Sequence, residues 1–321
     1  MAKLNKSAHT FSKVAIVELT LAGALWGFGF ISAVWALRDF GPSTTTALRF
    51  FLACLVGFGI AMLRPQLRES LTWDQFRLAF PPAVWLSIVL ILQTWGLKFT
   101  TATKSGFITT LYVLIVPFLE HVWLKQKLPR FHLFYAAVAL LGVGLISDLA
   151  SGLRATLGTE GLETSFSPGW NWGDTLTLFC AVAASLHILW FGKIQDQIRS
   201  SFVFNLHQSA WAALITIPIA LATESWPTQI TTTLSLVGIG ALAFGSTLIA
   251  FALQIKAQKE VSPSLASLLF LLESPFTTLF AIYFLAESLR TEQWVGAGLI
   301  LAAVILSTLW NKEASEGSEA T

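Results

Sequence analysis

Charge is the first thing this sequence lacks. Of 321 residues only 12% are Asp, Glu, Lys or Arg, about half of the roughly 25% usual in soluble domains, and this excludes an ordinary water-soluble globule. The net charge of +2 is too small for a nucleic-acid partner, whose phosphates call for a concentrated basic surface. Two cysteines, Cys54 and Cys180, both lie in apolar runs and are read as packing residues rather than a disulfide framework. There is no GxxxxGK[ST] loop to carry an ATP motor, no serine-nucleophile elbow and no HExxH pair. No three His, Cys or acidic residues recur at helical intervals, so neither a metal nor a cofactor is expected.

Apolar length is what the chain has instead: 55% of it is hydrophobic, in runs of about 20 residues, each enough to cross a bilayer core of roughly 30 Å. The pattern predicts an all-α membrane protein with ten transmembrane helices, near 15–36, 43–63, 78–98, 103–124, 131–149, 173–193, 202–223, 231–254, 262–285 and 292–310. The first run is too long for a signal-peptide core and lacks a clear small-residue cleavage site, so it is read as retained. With the N-terminus cytoplasmic, 14 Lys and Arg residues fall on the inner side and five on the outer. That bias predicts an inner-membrane protein with cytoplasmic tails at 1–14 and 311–321. The Gly- and Ser-rich stretch 150–172 is then a periplasmic linker between two five-helix halves, 15–149 and 173–310. Five spans per half force opposite orientations, the mark of two inverted repeats. Sequence echoes at an offset near 158 agree: "LTLAGAL" against "LTLFCAV", and Lys98, Pro117 and Phe118 against Lys256, Pro275 and Phe276.

Polar groups inside such spans are costly and mark the places to look for function. Pro117 and Pro275 break the fourth and ninth helices at matching positions, a pointer to a central site or, more plainly, to packing kinks. In "LLFLLESPFTTLFAIYFLAE", Glu273 lies near the middle of the ninth span, a structural acid, a counter-ion for an amine or a proton-coupling group. Pro275 with the small residues Ser274 and Thr277 is expected to open that helix toward a cavity. Arg49 either snorkels to the outer face or binds a carboxylate. His187, and His207 at the repeat equivalent of Arg49, suit helix-to-helix hydrogen bonds as well as a site. Trp26, in "GALWGFGF", with Trp95, Tyr112 and Trp190 are interior aromatic candidates; Gln93, Thr94, Gln208 and Gln254 would supply polar points to a pocket for a small organic solute. Trp35, Trp123, Trp226 and Trp310 fit an interfacial belt. Gly298 and Ala302 form a small-xxx-small pair that serves a homodimer or mere packing.

Three stretches resemble the EamA-type branch of the drug/metabolite transporter superfamily: "LAGALWGFGFISAVWAL", "GLKFTTATKSGFITTLYVLIVPFLEHVWL", and the run from "AFALQIKAQKEVSPS" to "WVGAGLILAAVIL". Two departures stand out. The family's adjacent Glu-Pro is split here into Glu273, Ser274 and Pro275, and the first half has "KQKLP" where a family copy carries an acid, leaving Glu287 alone of that pair. The resemblance implies ten helices in two EamA-like inverted repeats around a central cavity, and export of amino acids or other small metabolites in bacteria. The expected substrate-binding set is Trp26, Arg49, Gln93, Trp95, Tyr112, His187, Gln208 and Glu273. Against it stand an organic-phosphate or nucleotide-sugar exchanger, which would want several cations in the bundle, and a membrane enzyme or sensor that transports nothing.

Overall fold

In lipid every backbone polar group must be satisfied within the chain, and helices are how a single segment does this. The computed structural model describes residues 13–124, 132–147, 170–260 and 263–319, all helix or turn, with no strand among them. The expected N-terminal tail, nearly all of the 150–172 linker, and Lys125, Lys127 and Arg130 of the charge bias lie outside these residues or at their margin. So do the side chains of the last turns, including Trp310.

The helices are α1 (Lys13–Ala36), α2 (Pro42–Leu63), the short α3 (Pro65–Arg68) and α4 (Trp73–Leu78), α5 (Phe80–Leu97), α6 (Ala102–Thr109), α7 (Tyr112–Leu124) and α8 (His132–Ile146). After the linker come α9 (Trp172–Ile194), α10 (Ser201–Thr223), α11 (Thr233–Ala257), α12 (Pro263–Phe270), α13 (Glu273–Leu285) and α14 (Thr291–Glu319). Among the described residues seven helical stretches are long and apolar enough to cross a membrane: α1, α2, α5, α6 with α7, α9, α10 and α11. The all-α class is therefore as expected. The region expected as a fifth span forms the 15-residue α8, and the tenth lies within α14. The ninth is divided into α12 and α13.

Local chemistry explains the starts. Pro42 and Pro65 open α2 and α3, where a missing N–H costs nothing. Asn171 and Asp174 form a capping box on α9, and Thr101, Ser200 and Thr232 each accept a backbone N–H at the head of α6, α10 and α11. It also explains the breaks. Pro275 cannot donate to the Leu271 carbonyl, which accepts from the Ser274 N–H at 3.2 Å instead, so the chain turns at 271–272 and restarts at Glu273. In the fourth span the break falls at 110–111, ahead of Pro117, through bonds from Leu111 to Ile108 and from Val113 to Thr110.

Glycines set the packing. A Cβ on Gly27 would stand 2.8 Å from Phe276 Cβ and 2.9 Å from Thr277 N, so α1 and α13 touch backbone to backbone. Ser274 and Thr277, the small residues beside Pro275, serve this packing. Both are fully buried; Ser274 Oγ bonds Thr110 Oγ1 at 3.0 Å and the Gly106 carbonyl at 3.3 Å, and Thr277 packs on Gly106. Farther along, α8 and α14 cross at Gly142 and Gly296, where a Cβ on either would lie 2.6–2.7 Å from the other's carbonyl oxygen. Gly298 faces open space and Ala302 is exposed, so that small pair points away from α8.

One end of the bundle is drawn together by carboxylates laid on helix N-termini. Glu224, after α10, accepts from Ser43 and Thr44 N–H at the head of α2, both at 2.8 Å. Glu287, after α13, accepts from Ala102 and Thr103 N–H at the head of α6, at 2.9 and 3.2 Å. Asp39, after α1, accepts from Thr231 and Thr232 N–H and from the Thr231 and Ser235 hydroxyls at the head of α11. Those bonds, Ser235 first and Thr231 next, hold its carboxyl well below the usual range, at about 2. Asp174, wholly buried, pairs with Lys104 at 2.8 Å. The opposite end is tied by side chains on loop backbone: Gln75 donates to the Gln197 carbonyl and accepts from the Arg199 N–H, and the Lys259 ammonium donates to the Ile198 carbonyl. A Lys256–Glu18 pair, its ammonium exposed and its carboxylate largely covered, completes it.

Candidate functional site

Between the ends, α1, α2, α5, α6, α7, α9, α11 and the α12–α13 break line a cavity whose non-atom space, open mouth included, is about 580 Å³. Trp26, Arg49, Gln93, Tyr112, His187 and Glu273 of the expected set all line it, joined by Thr109, Ser246, Phe251, Gln254 and Phe270. Two members of the set stand elsewhere. Trp95 lies at the carboxylate-tied end, its Nε1 donating to Ser43 Oγ at 3.1 Å with the Lys98 ammonium 5.7 Å from its ring. Gln208 is buried behind His187 and bonds it at 3.0 Å.

Glycines on α1 bring the site together. Gly23 faces Leu272 and the Glu273 N–H, Gly27 faces the Glu273 carbonyl, and Gly29 lets Ser246 Oγ come where a Cβ would be 2.9 Å away. Trp26 lies between these contacts. Its ring packs 5.1 Å from both Phe251 and Phe270, and its Nε1 donates to the Ser246 carbonyl at 3.2 Å. Glu273 is the first residue of α13, placed on the cavity wall where the span breaks and restarts. It is 6% exposed and receives Tyr112 Oη–H at 3.3 Å. Tyr112 in turn begins α7, so each broken span restarts on a cavity residue.

Arg49 does not snorkel. It is 2% exposed; Nε donates to Thr247 Oγ1 at 2.9 Å and a terminal NH₂ to Ser246 Oγ at 2.8 Å, with no ion pair among the described residues. Those hydroxyls are available because residues Ala241–Ala250 of α11 wind as a π-helix. Such bulges shift carbonyls out of register and cluster at functional sites. The displaced carbonyls find donors in Trp26, at Ser246, and in Asn205 Nδ2, at Thr247 (2.9 Å) and Leu248 (3.1 Å). Asn205 Oδ1 accepts from Gln208 Nε2 at 3.4 Å, which closes a polar chain from His187 to the helix that holds Arg49.

Sequence reasoning missed Ser246, Thr247 and Asn205. Ser and Thr in apolar helices usually bond the carbonyl four residues back, as Ser87, Thr94, Ser185 and Thr216 do here, so nothing distinguished these two. Trp35, expected in the belt, is 7% exposed and sits edge-on to Phe28 and Phe284, whereas Trp123 and Trp226 are exposed. Trp190 lies toward the end away from the helix-head carboxylates, the Lys193 ammonium 5.6 Å from its ring. His207 is buried with Nδ1 unbonded among the described residues, edge-on to Phe76.

Comparison with known proteins places this arrangement. An uncharacterised transporter of Archaeoglobus fulgidus is 30% identical over 295 residues, 92% of this chain and 86% of that protein. An S-adenosylmethionine/S-adenosylhomocysteine transporter of Chlamydia muridarum is 26% identical over 286 residues, 86% of this chain and 85% of that one. A solved crystal structure shares the fold with a TM-score of 0.63 at 17% identity, over 94% of this chain and 98% of the other. The EamA-like transporter family matches residues 14–148 and 171–309. The names of family and relatives point to a transporter rather than an enzyme, and with several helices fit to cross a membrane the protein is multi-pass: the chain belongs to the EamA-like transporter family.

Proposed function

We propose that the chain is a secondary transporter that exports small organic metabolites, amino acids among them, across the bacterial inner membrane by alternating access. In this reading ten spans form two inverted five-helix repeats, 15–149 and 173–310, with both tails cytoplasmic and the 150–172 loop periplasmic. The observation that carries it is the central cavity, lined where two spans, one in each family-matched stretch, break and restart at Tyr112 and Glu273. Broken helices meeting at mid-depth are the usual build of a transporter's site. The relatives named for S-adenosylmethionine and S-adenosylhomocysteine support solutes that carry an amino-acid group on a larger apolar or aromatic body. The organic-phosphate or nucleotide-sugar alternative is less well served, since among the described residues Arg49 is the one Lys or Arg on the cavity wall. A homodimer would use the outward face of α14 at Gly298 and Ala302.

Flux through purified protein in liposomes tests the reading. Counterflow of at least one solute from a panel of amino acids, S-adenosylmethionine and S-adenosylhomocysteine is expected, reduced about tenfold or more by Trp26→Ala without loss of folded protein. No movement of any panel solute through well-folded protein would leave the family fold without this activity. Orientation has its own check. A cysteine at Thr159 should react with an impermeant reagent in intact cells and one at Glu316 should not; the reverse pattern overturns the topology.

A further inference from the structure

Three side chains at the edge of the cavity form a relay of hydrogen bonds whose direction the backbone dictates. Asn205 and Gln208 lie on one face of α10, both 0% exposed, and His187 meets Gln208 from α9. The Thr247 and Leu248 carbonyls, in the π-wound part of α11, can only accept, so Asn205 must turn its NH₂ to them, at 2.9 and 3.1 Å. Its Oδ1 is left to face Gln208 and accepts from that amide's Nε2 at 3.4 Å. Gln208 therefore presents Oε1 to His187 Nε2 at 3.0 Å, and an oxygen there requires Nε2 to carry the hydrogen.

His187 lines the cavity, edge-on to Phe191 at 5.0 Å and to Phe251 at 6.1 Å, and Gln208 is its one hydrogen-bond partner among the described residues. A buried ring with no carboxylate paired to it among those residues costs least when neutral. In a neutral ring that donates from Nε2, Nδ1 is an acceptor, and no described group donates to it. Gln254 Oε1, buried on the same wall, likewise has no partner among the described residues. Polar atoms inside a protein are nearly always bonded, so acceptors left open on a cavity wall mark where a bound molecule's hydrogen goes. Asn205 and Gln208 do not line that wall. Without Asn205 the Gln208 amide is free to turn over; its NH₂ would make Nε2 the acceptor and Nδ1 the donor. A residue that never touches the cavity thus decides which kind of hydrogen bond the cavity offers.

We propose that Asn205 is a positioning residue that sets specificity: through Gln208 it makes His187 Nδ1 an acceptor, so that the cavity favours a solute presenting an N–H or O–H there over an isostere without one. The word solute rests on the transport reading, whereas the direction of the relay and the preference it creates are both measured without flux.

The test is nitrogen-15 solid-state NMR of the purified full chain in liposomes with labelled histidine, the His187 signals identified by their loss in His187→Gln. Wild type should show Nε2 protonated and Nδ1 bare. Asn205→Leu should add the opposite tautomer, and so should Gln208→Leu, which leaves the Asn205 bonds to α11 in place. The binding probes are indole, a flat molecule that donates and does not accept, and 1-methylindole, its blocked copy, because Trp26, Phe251 and Phe270 line the cavity with aromatic rings. Indole should shift the wild-type Nδ1 signal and 1-methylindole should not. The ratio of their affinities should fall about two- to fivefold from wild type to Asn205→Leu or Gln208→Leu, the worth of one hydrogen bond with the methyl group's own contribution cancelled. A charged ring or a protonated Nδ1 in wild type overturns the proposal even where a variant folds poorly. So does a tautomer unchanged in both variants, or an affinity ratio that neither variant moves. The expected tautomer and preference with no flux of any solute would sink the transport reading and spare this inference. Flux through a protein whose Nδ1 is protonated would do the opposite.

Discussion

The two ends of the bundle are closed by different chemistry. At one, Asp39, Glu224 and Glu287 each reach from the end of one helix to the exposed N–H groups of another, and Asp174 is paired with Lys104 under the same surface. At the other, Gln75, Lys259 and the Lys256–Glu18 pair do the tying. A carboxylate on a helix N-terminus gains charge-assisted bonds and the helix dipole together, whereas a neutral amide gains ordinary bonds and an ion pair with an exposed ammonium gains little. The difference lies in what each would lose on opening, and the carboxylate end loses more.

Removing Asp174 should break that contrast most severely. It is 0% exposed, and Asp174→Ala takes the carboxylate partner from a Lys104 that is itself buried; destabilisation of about 3–5 kcal/mol is expected in reversible unfolding of the purified protein. A loss under about 1 kcal/mol would show that the pair contributes little to holding the end. Next in size, Glu224→Ala frees two N–H groups at the head of α2 and should cost about 1–2 kcal/mol. Gly41→Ala should act in the same direction, because its new Cβ would fall on the Glu224 carboxylate. At the other end Gln75→Ala should cost about 1 kcal/mol and Lys256→Ala under about 0.5 kcal/mol. Equal losses from Glu224→Ala and Lys256→Ala would erase the distinction between the ends. The smallest effect is expected from acid. The folded-state pKa of Asp39, about 2, is depressed, so its contribution is complete above the ordinary carboxylate value of 3.8 and is lost as pH falls toward 2. Thermal unfolding midpoints should therefore fall more steeply for wild type than for Asp39→Asn over that window, and parallel profiles would count against it.

Much of this was legible in the residues. Long apolar runs with little charge announce an all-helical membrane protein, and the Trp-Gly step of α1 and the stretch holding Gly106 and Pro117 carry the family resemblance. Glu273, Arg49 and Trp26 stood out because each is expensive or unusual at mid-span. What could not be read were relations set by packing. The π-helical winding of "ALAFGSTLIA" has no periodic signature, so the Ser246 and Thr247 hydroxyls could not be assigned to Arg49. Asp39, Glu224 and Glu287 look like ordinary loop acids until the helix heads they cover come near. Trp35 near a helix end reads as interfacial, and only the neighbouring Phe28 and Phe284 bury it. Ser274 and Thr277 suggested an opening for the same reason that they allow close packing: both are small.

The crossing of α8 and α14 at Gly142 and Gly296 concerns time as well as space. The two glycines are 154 residues apart (296 − 142). At a synthesis rate of roughly 5–20 residues per second, α8 leaves the ribosome on the order of ten to thirty seconds before the helix that covers its glycine face. For that interval a strip of bare backbone stands open in the membrane, available to whichever small-faced helix arrives first. The close fit at Gly296, which leaves no room for a side chain, reserves that place for the last helix of the same chain.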